Sequence, residues 1–225
     1  MNGPLSQIIQ GIGQGRPDIV LSALIVVVLL LLICFPVHEF AHALVATNLG
    51  DDTPRLYGRV TLNPIAHLDL FGSILFLIFG FGWAKPVPVL PNRLNGNPRT
   101  SMAIVAFAGP ASNVLLAIGF AIIYRVTEPL FLRGNASIAD VIPYALQTAV
   151  FLNLILALFN LIPIPPLDGS RILAALLPDQ GAQLMEQLER YGFLVLMLVL
   201  VALPTLMSSL ITEPAASVTR LLLGY

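Results

Sequence analysis

Between Ile19 and Leu49 the only formally charged side chain is Glu39, and the stretch from Leu21 to Ile33 is almost uniformly apolar. A helix needs about 20 apolar residues to cross the hydrocarbon core of a bilayer. This run is longer, so it can span a membrane and tilt or extend past it. Pro36 lacks the N–H of a regular helix and is expected to kink the segment one turn before His38. The rest of the chain agrees with a lipid setting. It is 57% hydrophobic and 10% charged, whereas soluble chains are about 25% charged, so too few polar groups remain to cover a water-facing surface. The net charge of −1 excludes the strongly basic face of a nucleic-acid binder. Cys34 is the only cysteine, which rules out an intramolecular disulfide and a cysteine-based zinc site. Its apolar surroundings read as those of a small buried hydrophobe. Residues 1–17 lack the basic leader of a signal peptide, so the first long run is expected to remain as a membrane helix.

Further segments follow the same logic. Met1 to Pro17 reads as a short interfacial piece. Asp51 to Asp69 is polar and rich in turns. Leu70 to Trp83 is apolar but short, which suits a re-entrant or half-spanning segment. Ala84 to Val89 is expected to be extended, because Pro86 and Pro88 forbid a helix. Ser101 to Tyr124, Ile142 to Ile162 and Tyr191 to Ile211 read as further full spans, the last interrupted by Pro204. Asp179 to Arg190 reads as a helical surface link, and Thr212 to Tyr225 as a weakly amphipathic tail. The fold class is therefore an all-α membrane protein: a multi-pass helical bundle of about four full spans, with one short re-entrant segment and a small extended, β-like membrane-associated segment. No stretch is polar and long enough for an appended soluble domain. One domain over residues 1–225 is expected, with a core at about 19–178 and an additional C-terminal span at about 191–211. Basic residues set the orientation. One side collects Arg55, Arg59, Lys85, Arg93, Arg99, Arg171 and Arg190; the other has Arg16, Arg125, Arg133 and Arg220. The 50–100 region is thus expected in the cytoplasm and the N-terminus outside.

Two of the three histidines in the chain are His38 and His42. Four residues apart on a helix, they lie on one face, one turn above the other, where a single tetrahedral Zn²⁺ can take both. Glu39 is turned about 100° from His38 and can reach water beside the metal without being a ligand. Chance would produce this spacing about once in a thousand chains of this composition, so a zinc hydrolase motif is the better reading. Charged groups at membrane depth are costly and by default functional. A catalytic zinc needs a third protein ligand. His67 and the acids are the candidates; Asp168 stands out, since it ends an apolar span in a proline-broken segment, where non-helical backbone is expected only around a cavity or in a protein interior. Its plainer reading is a helix cap before Ser170.

His38-Glu39-Phe40-Ala41-His42 together with the stretch from Asn160 to Leu167-Asp168-Gly169 resembles the site-2 protease family of intramembrane metalloproteases. Gly82 to Val89 and Ala108-Gly109-Pro110-Ala111-Ser112-Asn113 resemble two further blocks of that family. The likeness covers about residues 20 to 178, in the same order. It implies that Asp168 is the third metal ligand beside His38 and His42, with one zinc per chain and Glu39 as general base. It implies that Asn160 lies near the scissile carbonyl, where its amide can stabilise a developing oxyanion. Asn113 reads better as a bond between helices than as a substrate contact. Trp83 to Val89 corresponds to a segment proposed to pair with an unwound substrate strand. Lys85 has a plainer role as an interface anchor, and His67 as a polar loop residue. There is no room for a PDZ insertion or a C-terminal CBS pair, so the chain resembles a minimal, transmembrane-only form.

The resemblance implies hydrolysis of peptide bonds in or near transmembrane segments of membrane proteins, within regulated intramembrane proteolysis. The partners are then a transmembrane substrate and the lipid bilayer, with no nucleic acid. Two other classes compete: a membrane metal-ion transporter and a scaffold that binds partner helices without cutting. The spans outside the two motifs carry almost none of the acids and histidines an ion path needs. A binder has no use for the general base.

Overall fold

The computed structural model describes residues 3–131 and 141–225; Arg133, counted above for orientation, lies outside the described residues. In chain order the helices are α1 (Pro4–Gly13), α2 (Pro17–Leu29), α3 (Phe35–Asn48), α4 (Thr53–Leu56), α5 (Leu70–Phe79), α6 (Pro98–Phe131), α7 (Val141–Asn160), α8 (Asp168–Leu176), α9 (Asp179–Glu189), α10 (Gly192–Ala202), α11 (Pro204–Met207) and α12 (Glu213–Leu223). The protein is an all-α membrane protein, and no strand occurs among the described residues.

Helices α2 and α3 form one rod, Pro17–Asn48, joined by a π-helical turn at Leu30–Cys34. That turn is the chain's answer to Pro36. A proline ring clashes with the carbonyl four residues back and offers it no N–H; a wider turn just before it absorbs the mismatch without ending the helix. Pro98–Glu128 and Val141–Asn160 are the other helices long and apolar enough to cross a membrane. The expected fourth span differs. α10 and the segment Pro204–Leu223 are bent by 95° at their junction, where Pro204 cannot continue the hydrogen-bond ladder of α10. There are thus three such helices, or four if the bent pair is one broken span. The apolar stretch after Asp69 is a ten-residue helix, too short to span. It is capped at its start by the Asp69 carboxylate on Gly72 N–H and ends at Gly80, in the left-handed region at φ 74°. The N-terminal piece is the helix α1, which packs on α2 and α5.

The helices meet through small side chains. Ala117, Ala121, Val150 and Ala215 are buried where α6, α7 and α12 come together, and Ala149 is buried against the π turn and Phe76. In lipid such residues let backbones approach and gain dispersion contacts.

The polar loops on one side of the bundle are held to the 84–90 segment. Leu68 and Ala84 form an isolated antiparallel bridge, and Lys85 N–H donates to His67 O at 2.8 Å. Arg59 is buried; its guanidinium donates to Ala66 O at 2.7 Å, Lys85 O at 3.1 Å and Pro86 O at 3.0 Å. Asp51, fully buried, accepts from Thr53 N–H at 3.0 Å and from Leu90 N–H at 2.6 Å. Burial disfavours its charged form, but the bonds from Thr53 and Leu90 and the nearby Arg93 outweigh that and hold the carboxyl below the ordinary carboxylate range.

Two predictions follow from these clamps. Replacing Arg59 by Leu removes three hydrogen bonds to carbonyls, each worth about 1 kcal/mol. Thermal melts in detergent should show a lower midpoint for this variant, by the equivalent of about 3 kcal/mol; an unchanged midpoint would show that the clamp is dispensable. For Asp51 the folded pKa lies below the unfolded one, so its contribution is full above the unfolded pKa of about 3.9 and is lost as pH falls through the folded value. The melting midpoint of the native protein should therefore drop more steeply with acidification below about pH 5 than that of Asp51→Asn. Parallel slopes would contradict this role.

Candidate metal centre

The helical period of α3 puts His38 and His42 one turn apart, with ring centroids at 4.6 Å and planes at 84°. Both are buried. Asp168 reaches them from the far end of the sequence. After α7 the chain turns through Pro163, Pro165 and Pro166 and restarts as α8 at Asp168 itself. This restart comes two residues earlier than the sequence suggests. Gly169 makes it possible: a Cβ there would overlap the Leu161 carbonyl, so only glycine lets the start of α8 close on the end of α7.

The three donor atoms form a nearly equilateral triangle. His38 Nε2 is 3.0 Å from His42 Nε2, and Asp168 Oδ2 is 3.2 and 3.3 Å from the two nitrogens. A tetrahedral zinc with bonds of about 2.0 to 2.1 Å sets neighbouring ligand atoms about 3.3 Å apart. Charge-assisted N–H···O hydrogen bonds would be shorter, about 2.7 to 2.9 Å, and Asp168 Oδ2 is buried with no hydrogen-bond partner. Beyond the triangle, His42 Nδ1 lies 2.7 Å from Val105 O. A carbonyl can only accept, so Nδ1 carries the proton and Nε2 faces the cluster with its lone pair. His38 Nδ1 lies 2.6 Å from Asn113 Oδ1. On the side of α6, Gly109 leaves the imidazoles their room: a Cβ there would overlap both rings. A tetrahedral edge, a buried oxygen with no partner and two imidazole Nε2 atoms turned into the triangle fit a zinc ion.

Glu39, next on α3, accepts Val87 N–H at 3.1 Å through Oε2. Its carboxylate shares a cavity of about 470 Å³ with the metal group, Trp83, Val87 and Asn160. Edge-to-face aromatic pairs, Trp83–Phe193 at 5.5 Å and Phe81–Phe159 at 6.5 Å, tie residues 81–83 to α10 and α7 around this space. Asn160 lines the cavity and donates one amide hydrogen to Leu156 O at 3.0 Å; its second amide hydrogen remains for a ligand. Asn113 bonds between helices, to His38 and to Asn153. His67 is fully buried with Nε2 at 2.8 Å from Thr61 O, and takes no part in the metal group. Three partners of the site escaped the sequence reading. Val105 acts through its backbone, which no side-chain pattern reveals. Arg59 was counted only as a charge. Asn153 had a visible signal, an amide in the middle of an apolar span, where a polar group is expected to be satisfied by a neighbouring helix.

The model of Peptidase family M50 matches residues 26–203. "Putative zinc metalloprotease YwhC" of Bacillus subtilis is 44% identical over 182 residues, 80% of this chain and 82% of the relative. "Putative zinc metalloprotease Rip2" of Mycolicibacterium smegmatis is 27% identical over 190 residues, 83% of this chain and 70% of the relative. "Putative zinc metalloprotease MJ0611" of Methanocaldococcus jannaschii is 32% identical over 141 residues, 62% and 64% of the two chains. No solved structure matches the chain significantly. A donor triangle with zinc dimensions, its two histidines on a helix long and apolar enough to cross a membrane and all three members within the matched residues, joins these likenesses to one chemistry: the chain belongs to peptidase family M50, the site-2 protease family, and is a zinc metallopeptidase.

Proposed function

We propose that this metallopeptidase cleaves peptide bonds in or near transmembrane segments of other membrane proteins, as a step of regulated intramembrane proteolysis. His38, His42 and Asp168 are the metal ligands in this reading, Glu39 is the general base, and Asn160 is an oxyanion donor. Residues 1–225 act as one domain, with a core at about 19–178. The observation that carries the proposal is the cavity in which the donor triangle, Glu39 and the extended segment face one another among membrane-spanning helices.

Zinc held by these three residues supplies Lewis acidity, which acidifies water and polarises a carbonyl. The chain's own groups do the rest. Glu39 takes a proton from the water as its oxygen attacks the scissile carbonyl carbon, and returns it to the amine nitrogen when the C–N bond breaks. The free amide hydrogen of Asn160 is a donor for the carbonyl oxygen as negative charge builds there. The Val87 N–H holds one oxygen of the Glu39 carboxylate and thereby couples the base to the segment that faces the substrate. A peptide bond inside a helix is shielded by its own hydrogen bonds, so a substrate segment must unwind locally. Helix-weakening residues are expected near the cut. The greater number of basic residues in and after the 50–100 region supports a cytoplasmic opening of the site.

Glu39→Gln should retain zinc and lose cleavage of a reconstituted transmembrane substrate by about a hundredfold or more. Cleavage at the native rate would remove Glu39 from its role. Gly109→Ala places a methyl group against both imidazoles, and metal analysis of the purified variant should show loss of zinc while circular dichroism still reports the native helix content. Full zinc occupancy would mean that the rings do not sit where the ligand assignment needs them.

A further inference from the structure

Asn113 and Asn153 are both fully buried, one on each of the two helices that pack behind the metal group. Together they form a chain of hydrogen bonds that ends on His38. Asn153 Nδ2 donates to Ala149 O at 2.8 Å and to Cys34 Sγ at 3.2 Å. Asn113 Nδ2 donates to Asn153 Oδ1 at 2.9 Å. Asn113 Oδ1 lies 2.6 Å from His38 Nδ1.

The direction of every proton in this chain follows from its far end. The Ala149 carbonyl has no hydrogen to give. If the Asn153 amide were flipped, two acceptor oxygens of fully buried residues would face each other at hydrogen-bond distance. The nitrogen must therefore face Ala149, and Asn153 Oδ1 must face Asn113. Asn113 must then answer with its own nitrogen, which turns its oxygen to His38. An oxygen acceptor in that position calls for a hydrogen on His38 Nδ1, and a neutral imidazole with hydrogen on Nδ1 has a bare lone pair on Nε2. Amide orientation is otherwise free to reverse; here a backbone carbonyl two side chains away decides it.

We infer that Asn153, through Asn113, is a positioning residue that sets the tautomer of His38 and so makes its Nε2 available to the metal. His42 needs no such device, since Val105 O meets its Nδ1 directly. The asymmetry has a structural origin. At His42 the backbone of α6 comes within hydrogen-bond range of the ring, whereas at His38 α6 presents a side chain, whose amide can point either way. A second amide on α7 removes that freedom. Cys34 contributes little to the direction, because a thiol is a weak acceptor and the Ala149 carbonyl is sufficient without it.

The inference rests on the proposed ligand role of His38, and the experiment separates the two. Protein labelled with ¹⁵N-histidine contains only three such residues, and the His38 signals are identified by their loss in His38→Gln. Zinc affinity is measured in parallel by competition with a chelator. In zinc-free native protein His38 should carry hydrogen on Nδ1; a ring with hydrogen on Nε2 and none on Nδ1 overturns the inference. Asn153→Leu should give a mixture of His38 tautomers and bind zinc about 10- to 100-fold more weakly, with the His42 signals unchanged. Asn153→Asp, which as the neutral acid donates to Ala149 O and keeps an acceptor for Asn113 Nδ2, should preserve both the tautomer and most of the affinity, while Cys34→Ala should leave the tautomer as it is. A folded Asn153→Leu protein with native tautomer and affinity overturns the inference, as does loss of the tautomer in Asn153→Asp. If His38→Gln itself binds zinc as the native protein does, the ligand assignment falls instead.

Discussion

Three electron-pair donors, His38 Nε2, His42 Nε2 and Asp168 Oδ2, meet within about 3 Å of one another, inside a protein whose outer solvent is hydrocarbon. Without a metal ion or a proton between them they repel, and the burial of an oxygen that has no hydrogen-bond partner adds to the cost. The surrounding structure therefore works against an electrostatic cost until a metal ion or a proton is held between them. Metal affinity and folding share one free energy in such a case. The helices that meet here answer that cost with close packing. Gly169 lets the start of α8 approach the backbone at the end of α7, and Gly109 opens room for both rings beside α6. Neither glycine is needed for a turn; each is needed because a methyl group would stand where a carbonyl or an imidazole already is.

The same constraint explains what could be read from the sequence. His38, Glu39 and His42 are legible because the residue types are rare in this chain and their spacing equals a helical turn. Asp168 is less so. Its residue type and its proline-broken setting raise it above the other acids, but nothing local says that residue 168 lies beside residue 38. That information resides in the packing of α8 on α6 and came forward only through likeness to a family. Pro36 announced a perturbation, yet not its form: the chain keeps one continuous rod and inserts a π turn. Pro204 announced a break, yet only the structure gives its 95°. In both cases a missing N–H is visible in the sequence, while the way the neighbouring turns absorb it depends on tertiary contacts.

Loops show the opposite limit. Arg59 and Asp51 look like ordinary charges of a polar, turn-rich stretch, and both are buried. Apart from Thr53, two residues along the chain from Asp51, their partners are backbone groups of residues 66, 85, 86 and 90. A backbone partner has no residue type, so no pattern of side chains points to it. The segment they hold has prolines at 86 and 88, which deprive it of two donors and of any helical alternative. It cannot organise itself by a regular ladder; its shape is imposed by one guanidinium on its carbonyls, by carboxylates on the N–H groups of Val87 and Leu90, and by the His67 carbonyl on that of Lys85.

One of those carboxylates is Glu39. Its bond to Val87 N–H means that the 84–90 segment and the proposed base do not move independently. Asp51 and Arg59 hold the segment from the loop side, while Glu39 holds it from the cavity side. In the proposed reading, a strand of substrate arriving at this segment would thus be positioned against a backbone already tied to the proposed base, one residue away from a proposed metal ligand. Alignment of the scissile bond and orientation of the base then follow from one set of hydrogen bonds rather than two. Proximity contributes most to hydrolysis when both reacting groups are fixed in a common frame. In this fold that frame is a proline-rich loop segment, which has no regular ladder of its own and is therefore shaped almost entirely by what it is bonded to.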